Sequence, residues 1–181
     1  MLVNNFNKIK KAYDDFQRDL LSQGRLLAKD TGIGYWGVTP VAETFEFFKK
    51  FGLHSYQNFI DIGSGDGRIV FLASIFGPES HGIEADEELV NFSIQHKARL
   101  DISGIEKTKF MQKDFMHHDL TVYDVIYINP DKPFFRDNLN NKIVKELNGK
   151  LIVHGWEFHP QSLRKIDEQV INGEKFSVYM R

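Results

Sequence analysis

Asp61, Gly63, Gly65 and Gly67 stand where an apolar run breaks into a loop, in Phe59-Ile60-Asp61-Ile62-Gly63-Ser64-Gly65-Asp66-Gly67-Arg68-Ile69-Val70. Alternating glycines let a backbone approach a ligand closely and turn sharply from strand to helix. The helix start that follows offers N–H groups and a positive dipole end to a polar or anionic group. The segment reads as a nucleotide-type cofactor site, with Ser64 inside its loop. It is not the dinucleotide fingerprint G-x-G-x-x-G, which needs a small residue where Arg68 stands. Two further acids follow. Glu84 closes the run Ser80-His81-Gly82-Ile83-Glu84, about 20 residues beyond the loop, where a carboxylate can accept both hydroxyls of a ribose. Asp114, followed by Phe115, closes Thr108-Lys109-Phe110-Met111-Gln112-Lys113. Singly, each would read as a solvated acid at a strand end. Their order beside one glycine loop makes them a set.

This order resembles the class I S-adenosylmethionine-dependent methyltransferases. The resemblance implies S-adenosylmethionine as cofactor, held around Asp61, Gly63, Ser64, Gly65, Gly67, Glu84, Asp114 and Phe115. In that family the third acid bonds the adenine amino group and a flanking apolar residue packs on the ring, the places of Asp114 and Phe115 here. A fourth apolar run ends Tyr127-Ile128-Asn129-Pro130-Asp131-Lys132-Pro133-Phe134-Phe135. Asn129 and the Pro130 carbonyl could accept hydrogen bonds from an amine at its end. The segment partly resembles the Asn-Pro-Pro-aromatic motif of amino-group methyltransferases acting on adenine or glutamine, and departs from it at Asp131. A plain turn after a core strand is the competing reading.

A second resemblance runs from about residue 32 to the end. Tyr35-Trp36-Gly37-Val38-Thr39-Pro40, the glycine loop, Gly82-Ile83-Glu84 and Leu151-Ile152-Val153-His154-Gly155-Trp156-Glu157-Phe158 are similar to the small archaeal protein-lysine methyltransferases related to the Dot1 class. The fourth-run segment, with Asn129-Pro130, is not the usual one there. This resemblance implies that Tyr35 and Thr39 help hold the cofactor and that Trp156 and Phe158 line a lysine channel, whose aromatic wall favours a cationic amine. Core packing of Trp156 is the alternative. Protein lysine is the first expected acceptor, with nucleic acid or a small metabolite as the alternative. A nucleotide-binding module without catalysis is the rival from another class.

Methyl transfer from a sulfonium is an in-line displacement in which the cofactor carries the reactivity. The protein aligns the nucleophile, which is worth roughly 7–11 kcal/mol in favourable cases. An amine must also arrive uncharged. With a lysine pKa near ~10.4, that calls for desolvation and hydrogen-bond acceptors rather than a strong base.

The elements that must position these groups follow from pattern. Leu2, Phe6, Ile9, Tyr13, Phe16 and Leu20 recur at four- and three-residue spacing, which predicts an amphipathic helix, with Gly24 weakening its end. It either packs along the domain or offers a dimerisation or substrate-protein surface. Gly32-Ile33-Gly34-Tyr35-Trp36-Gly37 reads as a glycine-punctuated loop, either a flap over the site or a plain connection. Thr39 reads as an N-cap and Pro40 as the first residue of a helix carrying Val41, Thr44, Phe45, Phe48 and Phe51, ended by Gly52. Strands are predicted near 57–62, 80–84, 108–112, 122–128 and 149–154, with helices near 66–76, 87–103, 134–147 and 160–166. The third of those strands would feed the Asp114 loop, and Gly104 would stop the second helix. Asn172-Gly173, between Gln169-Val170-Ile171 and Phe176-Ser177-Val178-Tyr179, is a hairpin signal. The fold class is therefore α/β: an open, mostly parallel Rossmann-like sheet closed by a C-terminal antiparallel hairpin, with an N-terminal helical extension over 1–30 and the cofactor domain over 31–181.

Composition bounds the rest. At 181 residues one domain with a proper core is expected. A net charge of −2 argues against coating nucleic acid. The absence of cysteine excludes disulfides, thiolate catalysis and cysteine zinc sites. No apolar run approaches the ~20 residues that span a bilayer and no signal-peptide pattern opens the chain, so a cytoplasmic location without a membrane is expected; the methyltransferase itself is expected as a monomer or homodimer. His154, Glu157 and His159 match no strong metal spacing, so no metal is expected. His117 and His118 fall in a loop.

Overall fold

The computed structural model describes residues 1–32, 34–130 and 138–181. Ile33, residues 131–137 and the first turn of the helix expected over 134–147 lie outside the described residues.

The expected helical seam forms α1 (Leu2–Ser22), whose Ile9 and Tyr13 are fully buried in the main core. A short antiparallel hairpin follows, β1 (Ala28–Asp30) and β2 (Tyr35–Gly37), where the sequence reads as loop. Three-residue strands are too short to display an alternation. Then come α2 (Val41–Phe51), β3 (Asn58–Ile62), α3 (Arg68–Ser74), β4 (Glu79–Glu84), α4 (Glu87–Lys97), β5 (Thr108–Gln112), β6 (Val125–Ile128), α5 (Leu139–Glu146), β7 (Lys150–His154), β8 (Arg164–Ile171) and β9 (Glu174–Met180).

The large sheet has the order β5-β4-β3-β6-β7-β9-β8. β5 to β7 run parallel, and β9 enters antiparallel between β7 and β8. β3 and β6 are buried along nearly their whole length, as strands covered on both faces must be. One face packs Phe47, Phe48, Phe71 and Tyr13 from the helices against Phe59, Tyr127 and Phe176. The other packs Ile60, Ile62, Ile126 and Ile128 under Leu139 and Ile143 of α5. The connection order reverses between β3 and β6. Ligands of open α/β sheets bind at the carboxyl ends of the strands at such a switch point.

Three local expectations are corrected. Thr39 does not cap α2: Pro40 occupies the N-cap position, and the Thr39 hydroxyl instead accepts a hydrogen bond from Asn129 Nδ2 at 3.3 Å. No helix spans 160–166. β8 begins at Arg164 as an exposed, charge-rich edge strand with a bulge between Lys165 and Asp167, and such edges hide the alternation that marks a half-buried strand. The helix expected to run from 87 to 103 stops at Lys97. Beyond it Ile102 turns into the core, and Asp101 pairs with Lys8 of α1 at 2.7 Å. The Asn172-Gly173 turn stands as expected, with φ of 49° and 91°, the left-handed pair a tight hairpin needs.

Candidate active site

The carboxyl ends of β3, β4 and β6 and the β2 hairpin line a narrow cleft. Its wall includes Tyr35, Trp36, Thr39, Asp61, Gly63, Ser64, Gly65, Asp66, Arg68, Glu84, Tyr127 and Asn129. Eight of the residues singled out from sequence are thus brought together: Tyr35, Thr39, Asp61, Gly63, Ser64, Gly65, Glu84 and Asn129.

The loop is fixed from within. Gly63 and Ser64 donate their N–H groups to the Ile83 carbonyl at 2.9 and 3.1 Å, and Gly67 donates to Ser64 O at 2.9 Å. Gly65 N–H donates to Glu84 Oε2 at 3.0 Å, while Glu84 Oε1 accepts from Ala85 and Asp86 N–H. These amides are therefore committed to the protein. The expectation that the loop would offer its amides to a ligand fails at Gly63, Ser64, Gly65 and Gly67. Gly65 is needed for two reasons: its φ is +52°, and a Cβ would stand 2.5 Å from Trp36 Cδ1. Trp36, buried on the hairpin, presses directly on the loop.

The electrostatics run the same way. Asp61 is buried, and desolvation together with Glu84 and Asp66 holds its carboxyl well above the usual carboxylate range. Among the described wall residues Arg68 is the one cation, and its guanidinium is spent on the buried Asp66 carboxylate, with Nε–Oδ1 at 2.9 Å. The wall carries three acids against that single paired cation.

The other expected residues lie elsewhere. Gly67 caps α3 beneath the wall, against Phe110 and Ser93. Asp114 accepts from Met116 N–H at 3.0 Å, capping the turn after β5, and Phe115 is buried in the α5-side core. Pro130 is buried. Phe158 packs half-buried on that same core. Trp156 is 57% exposed, and its ring faces this chain's own Lys175 ammonium at 4.8 Å, so it is neither a core residue nor part of the cleft wall. His154 is buried between Tyr127 Oη at 2.6 Å and Glu174 Oε2 at 2.8 Å. Burial holds its imidazole below the usual value, although Glu174 pulls the other way. No metal-binding cluster occurs among the described residues. His118 packs on Tyr123, its Nε2 2.9 Å from the phenol oxygen.

Sequence reasoning gave Asp66, Arg68 and Tyr13 no role at the site. Asp66 and Arg68 lie within the motif itself, two residues apart, and an acid–arginine pair inside a buried turn was the available signal.

The architecture, strand order included, is that of a class I methyltransferase. Residues 34–171 match the family described as histone methylation protein DOT1, and the chain belongs to that family. Two curated relatives are similar over parts of the chain. A lysine N-methyltransferase from Caenorhabditis elegans, named for an ATP synthase subunit, is 33% identical over 89 residues, 49% of this chain and 43% of that protein. An Emericella nidulans histone-lysine N-methyltransferase specific for H3 lysine-79 is 32% identical over 109 residues, 54% of this chain and 21% of that protein. The chain thus spans less than half the length of either. Among solved structures, an RNA methyltransferase from Salinibacter ruber with S-adenosyl-L-homocysteine superposes with a TM-score of 0.59 at 20% identity, covering 78% of this chain and 92% of that one. Magnesium protoporphyrin IX methyltransferase from Synechocystis, with its cofactor bound, gives 0.58 at 12% identity over 77% and 79%. At these identities the likeness is one of fold. No helix among the described residues is long and apolar enough to cross a membrane.

Proposed function

We propose that the protein transfers a methyl group from S-adenosylmethionine to a lysine side chain of a protein. The observation that carries this is the acid-walled cleft inside the segment matching the DOT1 family. A dinucleotide brings phosphates, whereas the wall's one described cation, Arg68, is already paired and the amides of Gly63, Ser64, Gly65 and Gly67 are already bonded. A cofactor bearing a sulfonium, an ammonium and a ribose suits carboxylates. The two curated relatives are named as lysine methyltransferases, which supports lysine over other acceptors.

The residues take these roles. Glu84, whose carboxylate is already oriented by three backbone N–H groups, accepts from ribose hydroxyls with its remaining lone-pair capacity. Asp61 faces the amino-acid end of the cofactor, where a cation would restore its ionised form. Tyr35 and Trp36 close the cleft from the hairpin side. Bound S-adenosylmethionine supplies the electrophilic methyl. Asn129, exposed at the end of β6 and tied to Thr39 through its Nδ2, keeps its side-chain carbonyl for an amine N–H. An acceptor there keeps the neutral amine in line for attack while water is excluded. Pro130 and Phe158 border the acceptor side, and Asp114 with Phe115 backs the adenine side. Incubation with methyl-labelled S-adenosylmethionine and cell extract, split between protease and nuclease digestion, tests the reading. Label recovered as methyl-lysine is the expected result. Label confined to nucleic acid, or no transfer by a protein that binds the cofactor, would refute it.

A further inference from the structure

The N-terminal helix, which precedes the family-matched segment, reaches the glycine loop through one fully buried side chain. Tyr13 Oη donates to the Asp66 carbonyl at 2.7 Å. Asp66's carboxylate holds Arg68, whose guanidinium carbon lies 4.7 Å from the Tyr13 ring centroid, and Arg68 Nη1 donates to the Thr39 carbonyl at 3.3 Å. Three separate segments meet there: α1, the loop 63–67, and the strap running from the β2 hairpin into α2. The Asp66–Gly67 peptide is pinned at both ends, its carbonyl by Tyr13 and its N–H by Ser64 O. A peptide unit is planar, so fixing both groups fixes its rotation and with it the course of the loop.

We propose that Tyr13 is a positioning residue for the cofactor: α1 holds the glycine loop and, through Arg68, the strap that carries Thr39, in the shape that receives S-adenosylmethionine. The inference rests on the cofactor reading above. It makes the helix a working part of the site rather than packing alone. Burial and the neighbouring Asp66 keep the phenol protonated well beyond its usual range, so the donor is present at every working pH. Arg68 is held by the Asp66 carboxylate and the Tyr13 ring, and its bond to the Thr39 carbonyl couples the strap to the loop.

The test compares Tyr13→Phe, which keeps the ring under Arg68 and removes only the hydroxyl, with Ile9→Val, an equally buried change one turn earlier in α1. Calorimetry with S-adenosylmethionine should show Tyr13→Phe weakened by roughly fivefold, the worth of about one neutral hydrogen bond. Ile9→Val should lower the melting temperature and leave affinity unchanged. In the ligand-free protein, amide exchange at Gly67 should quicken in Tyr13→Phe beyond any change in global stability, and not in Ile9→Val. Turnover data should show a raised KM for the cofactor with kcat nearly intact. Equal affinity and equal Gly67 exchange in wild type and Tyr13→Phe would overturn the proposal, as would an Ile9→Val that binds as poorly as Tyr13→Phe. If the wild type binds no S-adenosylmethionine, the cofactor reading fails, and the exchange measurement still decides whether Tyr13 holds the loop.

Discussion

The two halves of the sheet's carboxyl edge are built differently. On the β3–β4 side, Asp61, Asp66 and Arg68 are each at most 3% exposed, and the loop amides are tied to β4 or to each other. On the β6–β7 side, Asn129 is exposed, Trp156 is 57% exposed, and Glu157 and His159 face solvent. The first half is set by backbone hydrogen bonds in a buried switch point; the second by side chains at strand ends. A cofactor that never changes can be met by a rigid wall, whereas acceptor choice is left to exposed loops on that scaffold.

Substitutions on each half should separate the two. Gly65→Val forces a side chain into Trp36 at a left-handed backbone position, and we expect S-adenosylmethionine binding to be lost beyond calorimetric detection, with the melting temperature reduced. Glu84→Ala removes the acceptor for three backbone N–H groups, one of them on buried Gly65. Stability should fall by about 2 kcal/mol in urea unfolding, together with a large loss of cofactor affinity. If affinity survives, the ribose assignment is wrong.

Asp61→Asn gives the sharper contrast, because binding and stability should move in opposite directions. The folded state holds the Asp61 proton above the ordinary carboxylate value, so between those two values the folded protein binds more protons than the unfolded one. Stability is therefore lost as pH rises through that window. Asn removes the penalty. Thermal melts from pH 4 upward should show the variant gaining on wild type, while cofactor affinity drops by roughly 10- to 100-fold, the worth of a charged hydrogen bond. A variant that binds normally would remove Asp61 from the site. Asn129→Ala, on the exposed half, should leave cofactor affinity unchanged and lower turnover by about tenfold, read as kcat at saturating cofactor. The smallest effect is expected of Trp156→Ala. It loses an exposed cation–π contact with Lys175, worth about 0.5–1 kcal/mol, and keeps cofactor affinity. A strong loss of turnover there would restore the lysine-channel role that the resemblance implied.

The alternation from residue 57 gave the strand and helix sequence because buried parallel strands are continuous apolar runs. The glycine loop and Glu84 were readable for the same reason: each ends such a run, and strand ends gather at one edge of the sheet. The charged first half of the edge strand β8 and the short hairpin β1–β2 were not, since neither carries a period that survives exposure or brevity. Trp156 reads as an aromatic wall in sequence, yet its ring turns outward to Lys175, a partner nineteen positions along the chain.

By itself, the sequence determined the fold class and the order of Asp61, the glycines and Glu84 along successive strand ends, because these follow from hydrophobic period and local backbone demands. Tertiary structure alone decided that the Gly63, Ser64 and Gly65 amides turn onto β4, and that Tyr13 reaches the loop from 53 positions away. Those outcomes depend on which side chains meet in a desolvated interior, where a polar group must find a partner wherever packing provides one.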